Sequence, residues 1–97
     1  MKFEKLTDCL ETLHLFANDT RLKILCILGN GRMTGREILD KLNIAQPSMS
    51  YHLRLMVKAG ILNGEEVWKY TYYTINSDKI KELVKSFGIL NEVTNEK

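Results

Sequence analysis

Leu6, Leu10, Leu13 and Phe16 recur at steps of four, three and three, a spacing that gathers side chains on one stripe of a helix. They predict a first helix over roughly residues 3–17, with Cys9 at the edge of the stripe. Asn18-Asp19-Thr20 then supplies a cap and a negative first turn for a second helix, Thr20 to Leu28. Its Leu22, Ile24, Leu25, Cys26, Ile27 and Leu28 leave almost no polar face, which places this helix at the centre of the core. Gly29-Asn30-Gly31 ends it, and Thr34-Gly35-Arg36-Glu37 matches a capping box that opens a short third helix to about Leu42. Asn43-Ile44-Ala45 is a tight turn before a fourth helix, Gln46 to Lys58, whose first turn holds Pro47 without losing an intrahelical hydrogen bond.

Gly60 stops the fourth helix, after which Ile61-Leu62 and the aromatic, β-branched run Lys69–Ile75 read as two strands around a tip at Glu65-Glu66-Val67-Trp68. Asn76 or Ser77 caps a last helix, about residues 77–91, in which Ile80, Leu83, Val84, Phe87 and Leu90 form another stripe. The polar end Asn91–Lys97 is the loose segment. Short helix, tight turn, second helix and hairpin together predict a mainly α fold with a small β-hairpin. This is a winged helix-turn-helix of five helices plus a wing, one domain over residues 1–97.

Within the fourth helix, Met49, Leu53, Met56 and Val57 share one face and are expected to pack inward. That turns Gln46, Ser48, Ser50, Tyr51, Arg54 and Lys58 toward solvent. Gln46 and the serines lie at the N-terminal end, the part of such a helix that enters a major groove, where Gln pairs with adenine and Ser with several bases. Arg54 and Lys58, one and two turns later, suit phosphates. Any amphipathic helix has a solvated face, so the helix alone does not decide; the capped helix before it and the hairpin after it do.

Ninety-seven residues bury only about 60–65% of the unfolded surface, so a partner subunit would add stability. The last helix makes the same point. Five apolar side chains left in water would forgo on the order of 10 kcal/mol, an upper bound because part of the stripe can pack within its own subunit. A 44% apolar, 27% charged composition is that of a soluble protein. With no apolar run near the roughly 20 residues of a membrane helix and no signal-peptide core, the expected location is cytoplasmic, away from membranes. Net charge is only +2, but residues 20–60 hold seven basic side chains against Glu37 and Asp40, a balance of +5 that leaves −3 elsewhere. The middle third is therefore the basic face, and double-stranded DNA the expected partner.

No Ser/His/Asp, Cys/His or paired-carboxylate set stands out, and no Gly-rich loop follows a strand, so neither an enzyme nor a cofactor is expected. Cys9 and Cys26 stand alone rather than in a Cys-x-x-Cys pair, which predicts reduced thiols. His14 and His52 are each isolated from other ligands. His52 is read as bonding the hairpin or lying near DNA.

Ala17-Asn-Asp-Thr-Arg-Leu-Lys-Ile-Leu25, Ile44-Ala-Gln-Pro-Ser-Met-Ser-Tyr-His-Leu53, Ala59-Gly-Ile-Leu62 and Tyr72-Tyr73 resemble the ArsR family of bacterial repressors over nearly the whole chain. The resemblance implies a homodimer joined by its first and last helices, through Leu6, Leu10, Leu13, Ile80, Leu83, Val84, Phe87 and Leu90. It also implies a wing along the DNA and negative control of the protein's own operon, commonly relieved by a metal or small inducer. A twofold dimer would set its reading helices about 34–36 Å apart and require an inverted-repeat operator.

The chain departs from the family where a metal would bind. Metal-sensing relatives open the third helix with Cys-x-Cys; here Thr34 and Arg36 stand there, and residues 77–97 hold no histidine for the other familiar site, so no metal is expected. Ile24-Leu-Cys-Ile-Leu28 resembles the second helix of persulfide- and thiol-sensing relatives, whose second cysteine on the last helix is missing here. Cys9 could substitute if it packs near Cys26; otherwise Cys26 is inert core packing. The acidic wing leaves Lys69, beside Trp68, as its one DNA-facing cation. Gly31–Ile38 with Asn43–Ser50 look most like the sporulation-delay-type autorepressors, a subgroup without a metal site. The reading is a sequence-specific, homodimeric autorepressor of unspecified inducer. Its alternatives are a repressor switched through Cys26 and a winged-helix protein-interaction module that has left DNA.

Overall fold

The computed structural model describes residues 3–85 and 87–88, in the order α1 (Phe3–Phe16), α2 (Asp19–Leu28), β1 (Met33–Thr34), α3 (Gly35–Lys41), α4 (Gln46–Lys58), β2 (Leu62–Val67), β3 (Tyr70–Ile75) and α5 (Ser77–Lys85). Each helix start has a local cause. The Asn18 side chain accepts from the Arg21 backbone N–H, so α2 begins at Asp19, one residue earlier than expected. Thr34 Oγ1 accepts from Glu37 N–H at 3.2 Å while Glu37 Oε1 accepts from Thr34 N–H at 3.1 Å, the reciprocal capping box. Asn76 Oδ1 accepts from Lys79 N–H and opens α5. Gly60, at φ 83°, takes the left-handed conformation that ends α4, and Ile61 N–H returns to the Met56 carbonyl.

The sheet is three-stranded and antiparallel, in the order β1-β3-β2. β1, absent from the sequence reading, pairs Met33 with Tyr73 and Thr34 with Tyr72, tying the entry of α3 to the wing. β2 runs through Glu65, Glu66 and Val67, opposite Tyr72, Thr71 and Tyr70. The acidic pair is therefore in a strand, and the tip is Trp68-Lys69, two residues later than predicted. The polar run 63–66 carries no strand signal of its own; cross-strand pairing with the aromatic β3 imposes it.

Trp68 is 86% exposed at φ 61°, a conformation in which a bulky side chain crowds its own backbone. Relief of about 1–2 kcal/mol of left-handed strain exceeds glycine's extra unfolded-state entropy of about 0.5–1 kcal/mol. Trp68→Gly is therefore expected to raise stability by roughly 0.5 kcal/mol in thermal or urea unfolding.

Ile24, Leu28, Ile38, Met49, Leu53, Met56, Ile61 and Leu62 form the buried core, drawn from α2, α3, α4 and the start of the wing. Three inward assignments need correction. In α2 only Ile24 and Leu28 are buried, because 100° per residue sets them on one side and Leu22 and Cys26 on the other. Cys26 is exposed, not core packing, whereas Cys9 is buried; the two are not joined by a disulfide. Val57 is 37% exposed at the groove, its methyl 3.9 Å from where a β-carbon on Gly64 of the wing would sit.

Leu10 and Leu13 of α1 are about half exposed, 53% and 49%, and Leu6 is intermediate. In α5, Ile80 and Leu83 pack against the core while Val84 is half exposed. Leu90 and the predicted end of the last helix near residue 91 lie outside the described residues.

Candidate nucleic-acid interface

Pro47 and Gly60 bracket α4, and burial of Met49, Leu53 and Met56 fixes its rotation. The opposite side carries Gln46, Ser50, Arg54 and Lys58, spaced by four so that they form one ridge along the helix. This ridge is one wall of an open groove of about 950 Å³; α3 contributes Arg36, and the wing contributes Lys69 and Tyr70. Val57, Gly64 and Tyr73 also line it, so the groove is the cleft between helix-turn-helix and wing. Of the residues read as DNA-facing, the groove gathers Gln46, Ser50, Arg54, Lys58 and Lys69. Ser48 and Tyr51 are exposed on another arc of α4 and do not line it.

Four cations, Arg36, Arg54, Lys58 and Lys69, face the groove against one carboxylate, Glu66, so its field is positive although the chain is nearly neutral. Arg36 Nε lies 3.3 Å from Asp40, but both groups are well exposed and such a pair holds an arginine only weakly. At the tip, Lys69 Nζ lies 5.0 Å from the Trp68 ring centre and 5.6 Å from that of Tyr70, which steadies an ammonium otherwise free to swing. Arg36 and Tyr70 were not read from the sequence as interface residues. Arg36 counts there among the seven cations of the basic middle third and as a misfit for a metal; only the approach of wing to α3 brings either residue beside α4.

His52 sits elsewhere. Its Nδ1 accepts a 3.2 Å hydrogen bond from Arg21 Nε on α2, not a contact with the hairpin. Burial first, and the Arg21 guanidinium second, hold this imidazole below the ordinary histidine pKa of 6.5.

The start of α3 does not fit a metal. Thr34 Oγ1 is committed to the helix cap and Arg36 is a cation, so neither supplies the thiolate that a soft ion needs.

A capped helix, a turn, an exposed polar helix and a hairpin wing closing a positive groove define a winged helix-turn-helix of the DNA-binding type. Residues 18–63 match the family described as "Bacterial regulatory protein, arsR family". The chain is 37% identical over 83 residues to an HTH-type transcriptional regulator of Methanocaldococcus jannaschii, covering 84% of this chain and 93% of that protein. It is 31% identical over 68 residues to the transcriptional repressor SdpR of Bacillus subtilis, covering 70% and 76% of the two chains. The crystal structure of the transcriptional regulator HlyU from Vibrio vulnificus superposes with a TM-score of 0.65 at 30% identity, over 90% of this chain and 88% of that one. The chain belongs to the ArsR family of bacterial transcriptional regulators. No helix among the described residues is long and apolar enough to cross a membrane.

Proposed function

We propose that this chain is a homodimeric repressor that recognises an inverted-repeat operator through the groove between α4 and the wing, acting on its own promoter. The observation that carries this reading is the exposed ridge Gln46-Ser50-Arg54-Lys58 opposite Lys69 and Arg36. Gln46 and Ser50, in the first turns of α4, offer amide and hydroxyl groups to base edges, whereas Arg54, Lys58, Arg36 and Lys69 neutralise phosphates. Leu10, Leu13 and Val84 leave apolar surface on α1 and α5 for a second copy to cover. A dimer places two α4 helices in successive major grooves.

Two substitutions separate the roles. Gln46→Ala is expected to relax base preference at one operator position, at a cost of about 1–3 kcal/mol on the preferred site and little on random DNA. Lys58→Ala is expected to weaken all duplexes alike and to flatten the salt dependence by about 0.9 per phosphate released. Equal effects of the two variants on specific and random DNA would contradict the assignment.

The exposure of Cys26 on α2 favours a second reading, in which oxidation or persulfidation of this thiol releases DNA. Oxidant-dependent release that disappears in Cys26→Ser supports it; identical release in wild type and variant excludes it.

A further inference from the structure

The geometry points to Arg21 and His52 as positioning residues for the DNA-reading helix: one guanidinium clamps α4 to the end of α1, and protonation of His52 opens the clamp. The inference rests on the DNA-binding reading of the groove. Arg21 is pinned at both ends. Its backbone N–H donates to the Asn18 cap at 3.0 Å, and its Nη1 donates to the carbonyls of His14 and Leu15, each at 3.3 Å. Those carbonyls end α1, where the helix dipole also favours a cation. A further donor, Nε, reaches His52 Nδ1 at 3.2 Å across 31 residues of sequence.

An arginine in a protein is always protonated, so Nε can only donate. His52 Nδ1 must therefore carry a lone pair, with the ring proton on Nε2, and the bond exists only while the imidazole is neutral. A second proton turns both ring nitrogens into donors and sets an imidazolium against a fixed guanidinium. Arg21 keeps its carbonyl partners when this happens; His52 loses its hydrogen bond to α2. The element displaced is α4.

The two side chains placed against the imidazole, Arg21 and Tyr51, bring no carboxylate to a second proton. Arg21 faces it from α2, and the Lys23–Asp19 pair, two residues to either side of Arg21, is exposed. His14 ends α1 and offers the guanidinium its carbonyl, while Tyr51, on α4 itself, stands edge-on with ring centres 5.3 Å apart. The charged groups of α3 are engaged elsewhere: Arg36 lines the groove and pairs with Asp40, Glu37 serves the cap, and Lys41 is exposed. The depressed basicity of His52 agrees with this setting. A histidine whose folded-state pKa lies below 6.5 contributes stability that is complete above that value and lost as pH falls through the folded value.

His52 lies about 160° around the helix from both Ser50 and Arg54, on the side away from the groove. Its charge therefore acts on DNA binding by moving α4 rather than by meeting phosphate. This fixes an unusual sign. Added positive charge by itself tightens DNA binding in acid, whereas an opened clamp weakens it.

The test is fluorescence anisotropy on the duplex upstream of the protein's own gene at about pH 7.5 and about pH 5.5, with thermal unfolding of the free protein at both. His52→Asn places an amide oxygen near Nδ1 and cannot titrate. Wild type is expected to lose affinity about fivefold or more in acid and to melt at a lower temperature. His52→Asn is expected to keep its neutral-pH affinity and to stay flat in both. Wild-type affinity that is unchanged or tighter in acid overturns the proposal, as does a parallel loss in His52→Asn. Should His52→Asn fail to fold, wild-type affinity that is unchanged or tighter in acid still overturns the proposal. Binding to no duplex at either pH fails the DNA reading instead, and the melting comparison then decides the clamp.

Discussion

Leu10→Glu combined with Leu13→Glu is expected to halve the mass of the protein in solution and to weaken operator binding on the order of a hundredfold. Both side chains are about half exposed, so the substitutions leave the fold of one subunit largely untouched. In a dimer they meet a copy of themselves or α5, and burying each recovers part of the 1.5–3 kcal/mol that a leucine gains on leaving water. Four carboxylates brought together at a twofold axis would reverse that gain. Two half-sites bound by one tethered pair have an affinity far above either alone, and the monomer loses that linkage. Light scattering reads the first effect and anisotropy the second. A variant that is monomeric yet binds the operator at wild-type strength would separate DNA binding from dimerisation.

Met56→Ala is expected to lower stability by about 2–5 kcal/mol, measured as the shift of the urea midpoint at constant slope. Met56 is fully buried where α4 meets the wing, and its carbonyl receives Ile61 N–H at the helix exit. A small domain has about 5–15 kcal/mol in total, so this single truncation leaves a marginal fold. DNA binds only the folded chain, so saturating operator should recover part of the loss by mass action, which exposed Lys58→Ala does not require.

The elements with strong local signals were legible in the sequence. α4 has the bounds that Pro47 and Gly60 mark, and Thr34 with Glu37 forms the capping box its spacing announced. Where local signal is weak or ambiguous, tertiary structure decides. β1 is two residues long and has no periodicity to detect. β2 is polar through 63–66 and becomes a strand only because β3 templates it. In α2 nearly every side chain is apolar, so composition could not say that Cys26 and Leu22 would face outward while Ile24 and Leu28 faced the core.

The groove divides in the same way. Gln46, Ser50, Arg54 and Lys58 follow from helical spacing within one segment, but Arg36 and Tyr70 join them only after α3 and the wing pack around α4. The Arg21–His52 bond links residues 31 positions apart, beyond any local pattern. It redefines a histidine that sequence placed near the hairpin or the DNA.

The central claim is sequence-specific DNA recognition by the α4–wing groove. Anisotropy of the purified protein on the duplex upstream of its own gene, against a scrambled duplex of equal length, at low and moderate salt, tests it most directly. The account predicts tight binding to the upstream duplex, weaker binding to the scrambled one, and a steep loss of both with salt. Equal or negligible binding to the two duplexes at either salt concentration would contradict it.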